Sequence, residues 1–174
     1  MTGPFSRALV AASVVALVAT MLSGCAVLGD GPLGVDDGNA ICGYVTTEGA
    51  VKYFGTSLDN QGNADAAVIL KVRATSARNV AEVDLLVQDA EPVMSLEWPS
   101  DEPFAANAMA DAVAPGEDAV VAPGAFGTLL VAITPEDASS KARIDEIAIT
   151  YRSGGHVHTV FSRLRIVLAP SDSC

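Results

Sequence analysis

The amino-acid sequence predicts an all-β protein in which two antiparallel sheets pack face to face. Past residue 42, apolar and polar residues alternate with a period of two, which is typical of antiparallel strands with one buried and one solvated face. Short stretches rich in Gly, Pro, Asn and Asp separate these segments and are typical of turns. Six to eight short strands in about 130 residues favour an immunoglobulin-like sandwich, with a small β barrel as the alternative.

The alternation is clearest in two segments that follow each other along the chain. In AAVILKVRAT, residues 66–75, the pattern places Val68, Leu70 and Val72 on one face. VAEVDLLVQ, residues 80–88, alternates in the same way. The remaining strands are predicted at Tyr44–Phe54, Val93–Trp98, Ala119–Val121, Gly127–Thr134, Ile144–Arg152 and His156–Leu168.

One segment between these strands has the pattern of a helix start. TPEDASSKAR, residues 134–143, offers Thr134 as an N-cap, Pro135 at the first helical position and acids in the first turn. The last two strands are predicted to form a hairpin, because Gly154 and Gly155 between them can adopt the positive φ that two-residue turns require.

The charge is acidic and unevenly distributed. The chain has 21 Asp and Glu against 10 Lys and Arg, and no Lys or Arg occurs between Arg78 and Lys141. Nucleic acids and anionic headgroups both need a basic surface, so this composition argues against either as a partner. We interpret the acidic stretch 82–137 as a solvated surface, with a docking face for a basic partner or for divalent cations as the alternative.

Residues 1–24 have the organisation of a secretory signal peptide. Arg7 precedes the apolar run ALVAASVVALVATML, residues 8–22, and small residues follow it. At fifteen residues this run is short for a membrane span, which needs about 20. The Gly- and Asp-rich residues that follow, 26–40, have the composition of a flexible linker.

The residues that end this signal, Leu22, Ser23, Gly24 and Cys25, resemble the bacterial lipobox. In lipoproteins of this kind the cysteine thiol receives a diacylglycerol, and a dedicated peptidase cuts just before the cysteine. The resemblance implies that Cys25 is the lipidated first residue of the mature chain, with Leu22, Ser23 and Gly24 recognised by the peptidase. With its Ala- and Val-rich sandwich ending in ITYRSGG, the chain is similar to small actinobacterial surface lipoproteins of uncharacterised role.

These patterns divide the chain into a signal peptide at 1–24, a lipidated cysteine with a flexible linker at 25–41 and a β sandwich at 42–174. The sandwich is expected on the extracytoplasmic face of the cell membrane, where disulfides can persist. With Cys25 lipidated, Cys42 and Cys174 remain at the two ends of the folded region, and a disulfide between them is the simplest pairing. Two free thiols, or an intermolecular bridge through Cys174, are the alternatives.

His156 and His158 are the only histidines, and residues at i and i+2 on a strand point the same way. With a third ligand such a pair can bind zinc or copper. They also share parity with Val160 and Leu164, so we favour hydrogen-bonded neutral imidazoles at the rim of the core over a metal site. Trp98, the only tryptophan, is a candidate anchor for a partner, although packing in the core or at its rim is the preferred interpretation.

No catalytic motif occurs in the sequence: GxSxG, HExxH and the P-loop are all missing. The sequence therefore predicts a protein that is not an enzyme and needs no cofactor. We expect a membrane-anchored interaction or accessory module, with another envelope protein or the cell wall as its partner. The alternative is a metal- or small-solute-binding lipoprotein that uses His156 and His158.

Overall fold

The computed structural model describes residues 31–174 except Glu91 and Ser173, so the predicted signal peptide and Cys25 lie outside the described residues. The described chain forms eleven strands and one helix. In chain order they are β1 (Gly34–Val35), β2 (Ala40–Gly43), β3 (Val51–Asp59), β4 (Ala67–Arg78), β5 (Glu82–Gln88), β6 (Ser95–Trp98), α1 (Pro103–Ala110), β7 (Val120–Val121), β8 (Phe126–Thr134), β9 (Ala142–Ser153), β10 (His156–Ser162) and β11 (Arg165–Leu168).

The strands form two sheets that pack face to face. One has the order β1-β3-β8-β5 with β6 also paired to β3, and the other has the order β2-β11-β9-β4-β7 with β10 also paired to β9. The orders β1-β3-β8-β5 and β11-β9-β4 correspond to the ABED and GFC sheets of immunoglobulin domains. The predicted immunoglobulin-like sandwich is confirmed. No ladder joins the two sheets within the part of the chain that the structure describes, so the barrel alternative is not realised.

The prediction of purely antiparallel sheets is wrong at one edge. The short strand β2 runs parallel to the last strand β11, with Cys42 opposite Val167, whereas the other pairings are antiparallel.

The predicted strand Tyr44–Phe54 is only partly formed. Its first residues form a loop that ends in a turn closed by the Ala50 N–H and the Thr47 carbonyl, 3.1 Å apart, and β3 begins only at Val51.

The core lies between the sheets and consists mainly of aliphatic side chains. Its largest fully buried members are Phe54, Leu58, Ile69, Leu129, Ile144, Ile147, Ile149, Tyr151 and Ile166. A second, smaller cluster lies on the outer face of the five-stranded sheet, where helix α1 covers Tyr53, Leu130 and Ala132. Each buried aliphatic side chain contributes about 1.5–3 kcal/mol to the free energy of unfolding, so the core and the smaller cluster together account for much of the stability of the fold.

The predicted face of β4 is wrong because the strand contains a bulge. Ile69 is fully buried and Val72 is buried, while Leu70 between them is only half-buried. The pairing of β4 with β9 shifts register between Ile69 and Lys71, which adds one residue to β4 at this point. One extra residue moves the buried positions from one parity to the other, so simple alternation cannot hold along the whole strand.

The helix predicted at 134–143 is not formed. Strand β8 continues to Thr134, and the next residues make a turn in which the Asp137 carboxylate accepts hydrogen bonds from the Ser139 N–H at 2.9 Å and the Ser140 hydroxyl at 2.8 Å. Side-chain bonds of this kind offer the backbone an alternative to a helix. The helix that does occur, α1, has Pro103 in its first turn and four alanines, the best helix former, in its sequence PFAANAMA.

Part of the segment assigned to the linker lies in the sandwich. Leu33 is 2% exposed, and β1 and β2 pair with β3 and β11. The Asp36 carboxylate, between β1 and β2, accepts hydrogen bonds from the Ser57 N–H at 2.7 Å and the Thr56 hydroxyl at 3.2 Å. The sandwich therefore includes residues before Cys42, from Leu33 at the latest.

Candidate functional site

Strand β9 runs from one end of the sandwich to the other and defines both. Its twelve residues span roughly 36 Å at about 3.3 Å per residue. The β9–β10 turn and Gly31, the first described residue, lie at its last residue, Ser153, and we call this the tether end after the predicted lipid tether. At its first residue, Ala142, lie the disulfide and the β8–β9 turn, and we call this the disulfide end.

Buried hydrogen bonds between uncharged groups hold much of the tether end, beside the exposed ion pair of Arg152 with Glu117. The Leu33 N–H donates to the buried hydroxyl of Tyr151 at 3.0 Å, and the Asn63 amide donates to the Pro32 carbonyl at 2.9 Å. A β-carbon at Gly31 would collide with the Tyr151 hydroxyl. The β9–β10 turn has the predicted form, since Gly154 and Gly155 have φ values of 56° and 79°.

Asn60 organises the adjoining loops at the same end. Its side chain is fully buried, and its amide nitrogen lies 3.0 Å from both the Asp65 and the Ala122 carbonyl oxygens. The Asn60 backbone carbonyl also accepts hydrogen bonds from Asn63 and Gly124. One buried amide thus joins the β3–β4 loop to the β7–β8 loop.

The predicted disulfide between Cys42 and Cys174 is confirmed. The two Cα atoms are 5.8 Å apart, and the bond joins residues separated by 132 positions. Cys42 lies on the edge strand β2, which is held to β11 by parallel pairing. The disulfide therefore fixes the last residue of the chain against the outer edge of the six-stranded sheet.

Two cavities open at the disulfide end. The first, of about 350 Å³, is mainly apolar and lies between the sheets. Its apolar lining includes Val45, Val51, Ile133, Pro135 and Leu168. The second, of about 420 Å³, lies on the outside of the six-stranded sheet. Its cationic walls are Arg78, Lys141, Arg143 and Arg165, and its apolar floor is formed by Val167 and the disulfide. We call the second cavity the basic groove.

A charged side chain braces the loop beside the apolar cavity. The Glu97 carboxylate accepts hydrogen bonds from the backbone N–H groups of Thr46 at 2.9 Å and Thr47 at 3.1 Å, and Lys52 lies 3.6 Å away. Burial opposes ionisation of Glu97, but these hydrogen bonds and the nearby ammonium outweigh it and lower the pKa of the carboxyl. The loop is therefore held by an ionised group.

The two histidines share one face of β10, as predicted, but only one of them is packed. His158 is half-buried and stacks on Tyr151 with ring centroids 5.3 Å apart, whereas His156 is exposed beside the turn. The expectation of a hydrogen-bonded imidazole is wrong at the Nδ1 atom of His158, which is buried without a hydrogen-bond partner among the described residues. Their own ring centroids are 6.4 Å apart. Among the described residues no group of three His, Cys, Asp or Glu side chains is placed to hold a metal ion.

Trp98 lies at the end of β6 and is half-buried against the smaller cluster under helix α1. It is not part of either cavity at the disulfide end. Met94, just before β6, and Phe104, on α1, are 77% and 60% exposed.

The sequence interpretation did not identify the basic groove. Its four cations come from the end of β4, the start of β9 and the start of β11, so only the sheet pairing brings them together. One signal was available, because residues 141–165 contain five Lys and Arg but only two acids. Alternation within single segments could not show which of these side chains share a face.

Comparisons with known proteins give no family for this chain. No protein-family model matches it, and no curated protein matches it. Among solved structures, it is similar to the VesB protease of Vibrio cholerae, with 14% sequence identity and a TM-score of 0.41. The match covers 80% of this chain and 32% of the protease, so the chain spans about a third of the protease's length. A likeness this low supports no argument about activity.

In the described part of the chain, α1 is the only helix, and it is too short and not apolar enough to cross a membrane.

Proposed function

We propose that this protein is a lipid-anchored, non-catalytic interaction module on the extracytoplasmic face of the cell membrane, and that its disulfide end meets a partner in the envelope. The partner is another envelope protein or the cell wall. The observation that carries the proposal is the placement of Gly31 and the two cavities at opposite ends of β9. A domain held at one end presents the other end to its surroundings.

The length of the tether supports this orientation. Cys25 precedes Gly31 by six positions in the sequence, and six residues span at most roughly 20 Å. The lipobox resemblance at Leu22–Cys25 supplies the anchor, and two acyl chains at about 0.8 kcal/mol per buried CH₂ need no basic patch to stay in the bilayer. The disulfide supports an exported location, because such bonds persist mainly in oxidising compartments.

The anchor is tested by cell fractionation of two neighbouring variants. Cys25→Ala removes the thiol that would carry the lipid and should release the protein from membranes into the soluble fraction. Ser23→Ala is the matched control, because the lipobox pattern accepts alanine at this position, and it should leave the protein with the membranes. Continued membrane association of Cys25→Ala after a high-salt wash would contradict the anchor.

The orientation is tested by photocrosslinking in intact cells from two exposed alanines at opposite ends. Ala138 lies at the rim of the apolar cavity, and Ala64 lies in the β3–β4 loop next to Asn63. A photoreactive residue at 138 should capture envelope protein or cell-wall material, and the same residue at 64 should capture it much less. Equal capture from both positions, or capture from 64 alone, would overturn the proposed orientation.

Metal or small-solute binding through His156 and His158 is the second proposal. The two rings share a face of β10, which supports it, but they supply only two of the three or more ligands that zinc requires. Titration with zinc or copper, followed by the NMR shifts of the histidine ring protons, tests it. If neither ring shifts at micromolar metal, this function is excluded.

A further inference from the structure

Positive charge is concentrated on one sheet of this acidic protein. Apart from Arg7, the chain has nine Lys and Arg, all of them described. Only Lys52, on β3, belongs to the five-stranded sheet, and the other eight lie on β4, β9 or in residues 163–165 and 141 beside them. The outer face of the six-stranded sheet is therefore basic although the whole chain has a formal charge of -11.

The cations of the basic groove are incompletely neutralised. Asp145 is paired with both Arg143, at 3.0 Å, and Arg165, at 3.1 Å. Arg78 and Lys141 are exposed and form no ion pair with any described residue. Asp145 thus neutralises two of the four cationic side chains, and the other two have no ion-pair partner among the described residues.

One further feature indicates that an anion belongs in this groove. Arg78 and Arg143 are direct partners in the ladder between β4 and β9, and like charges directly opposite each other repel. An oxyanion lying between the two guanidinium groups would replace this repulsion with two attractions.

We infer that the basic groove binds a phosphate group of an anionic polymer of the cell envelope. This rests on the proposed function for the location of the domain. The guanidinium groups of Arg78 and Arg143 would donate paired hydrogen bonds to phosphate oxygens, which is the geometry that arginine favours, and Lys141 would add a point charge. The apolar floor at Val167 and the disulfide would contact the uncharged part of the repeating unit.

The site is tested by calorimetric titration of inorganic polyphosphate into the full-length protein, purified in a neutral detergent. The double variant Arg78→Ala/Lys141→Ala should weaken binding roughly tenfold or more, because two charged contacts are lost. The matched control is Lys71→Ala/Arg73→Ala, which also removes one Lys and one Arg, both exposed and unpaired among the described residues, from the same sheet. The control should change affinity by less than about twofold.

Other probes separate the sources of negative charge. Polyglutamate of matched length carries carboxylates, and vesicles of anionic phospholipid carry lipid phosphate. Both should bind more weakly than polyphosphate. Stronger binding of either probe, equal weakening in both double variants, or no binding of polyphosphate at all would overturn the inference.

A second measurement covers the case in which the variant fails to fold. Addition of polyphosphate to the unaltered protein should shift the backbone amide signals of Cys42, Arg143 and Val167 and leave those of Gly154 and Gly155 in place. Shifts confined to other regions would contradict the site. Neither experiment depends on the lipid, so failure of the anchor in the Cys25→Ala fractionation remains distinguishable from failure of this site.

Discussion

Both ends of the sandwich are held by side-chain hydrogen bonds, but only the disulfide end adds a covalent bond. At the tether end, Asn60 and Tyr151 make buried hydrogen bonds between uncharged groups. At the disulfide end, Asn79 makes bonds of the same kind, and the disulfide and the Glu97 carboxylate hold loops that border two cavities. We therefore expect the stability of the disulfide end to depend more on redox state and pH than that of the tether end.

The largest expected effect comes from removing the disulfide. The double variant Cys42→Ser/Cys174→Ser should lower the free energy of unfolding by about 3–5 kcal/mol, because the bond closes a loop of more than a hundred residues in the unfolded chain. Urea denaturation with and without a reducing agent measures this. The reduced unaltered protein should match the double variant, and a difference below about 0.5 kcal/mol between oxidised and reduced protein would contradict the prediction.

The next effect is expected at the tether end, from Asn60→Ala. The substitution leaves the carbonyls of Asp65 and Ala122 without their donor in a buried site, which should cost about 3 kcal/mol in the free energy of unfolding. Gln61→Ala in the same loop is the control, because the Gln61 side chain is exposed and makes no hydrogen bond with any described residue, so it should change the free energy of unfolding by less than about 0.5 kcal/mol.

The contrast between the two ends is also tested by measuring the cost of Asn60→Ala under different redox conditions and at different pH. The cost of Asn60→Ala should be the same with and without a reducing agent and between neutral and acid pH. If the cost changes with either, the Asn60 hydrogen bonds are coupled to the disulfide or to charged groups.

A smaller effect is expected at the disulfide end from Asn79→Gly. The Asn79 side chain donates to the Asp137 carbonyl at 2.9 Å and the Ser140 carbonyl at 3.1 Å, and accepts from the Asp137 N–H at 2.8 Å. Its φ is 54°, which glycine also adopts, so Asn79→Gly removes these bonds without adding backbone strain. We expect a loss of about 1.5 kcal/mol by urea denaturation.

Asn79→Asp gives the control for that loss. Aspartate tolerates the same φ and keeps the acceptor for the Asp137 N–H, but it cannot donate to the two carbonyls. Its cost should be close to that of glycine if donation matters most. A cost near zero for both variants would show that this turn holds its shape without Asn79.

The turn between β8 and β9 also shows where prediction from the sequence failed. The start of TPEDASSKAR satisfies the local rules for a helix, but Asn79, more than fifty positions earlier, binds three backbone groups of the segment and Asp137 binds the next two serines. Local propensity is a weak prior that contacts between distant segments override. The strands were predictable as elements because their alternation is repeated over many residues, although a bulge such as that in β4 still changes which side chains are buried.

The two predictions about sites differ for the same reason. The disulfide followed from counting cysteines, because only Cys42 and Cys174 remained after the lipobox cysteine. The basic groove depends on which residues of three strands face each other. The bulge at Leu70 and the parallel edge strand β2 both change that pairing, and neither is visible in a period-two pattern.

The smallest expected effect concerns Glu97 and its dependence on pH. The folded protein lowers the pKa of this carboxyl, so its contribution to stability is complete above the pKa of an unfolded glutamate, about 4.3, and is lost as the pH falls through the lower pKa of the folded state. At neutral pH, Glu97→Gln should lower the free energy of unfolding by about 1 kcal/mol, because the Thr46 and Thr47 N–H groups lose an ionised acceptor. In strongly acid solution the two proteins should differ much less.

Urea denaturation at both pH values, with Glu48→Gln in the same loop as an exposed control, separates this local effect from the general loss of negative charge. If the difference between Glu97→Gln and the unaltered protein stays constant with pH, the loop is held by packing and not by the ionised carboxylate.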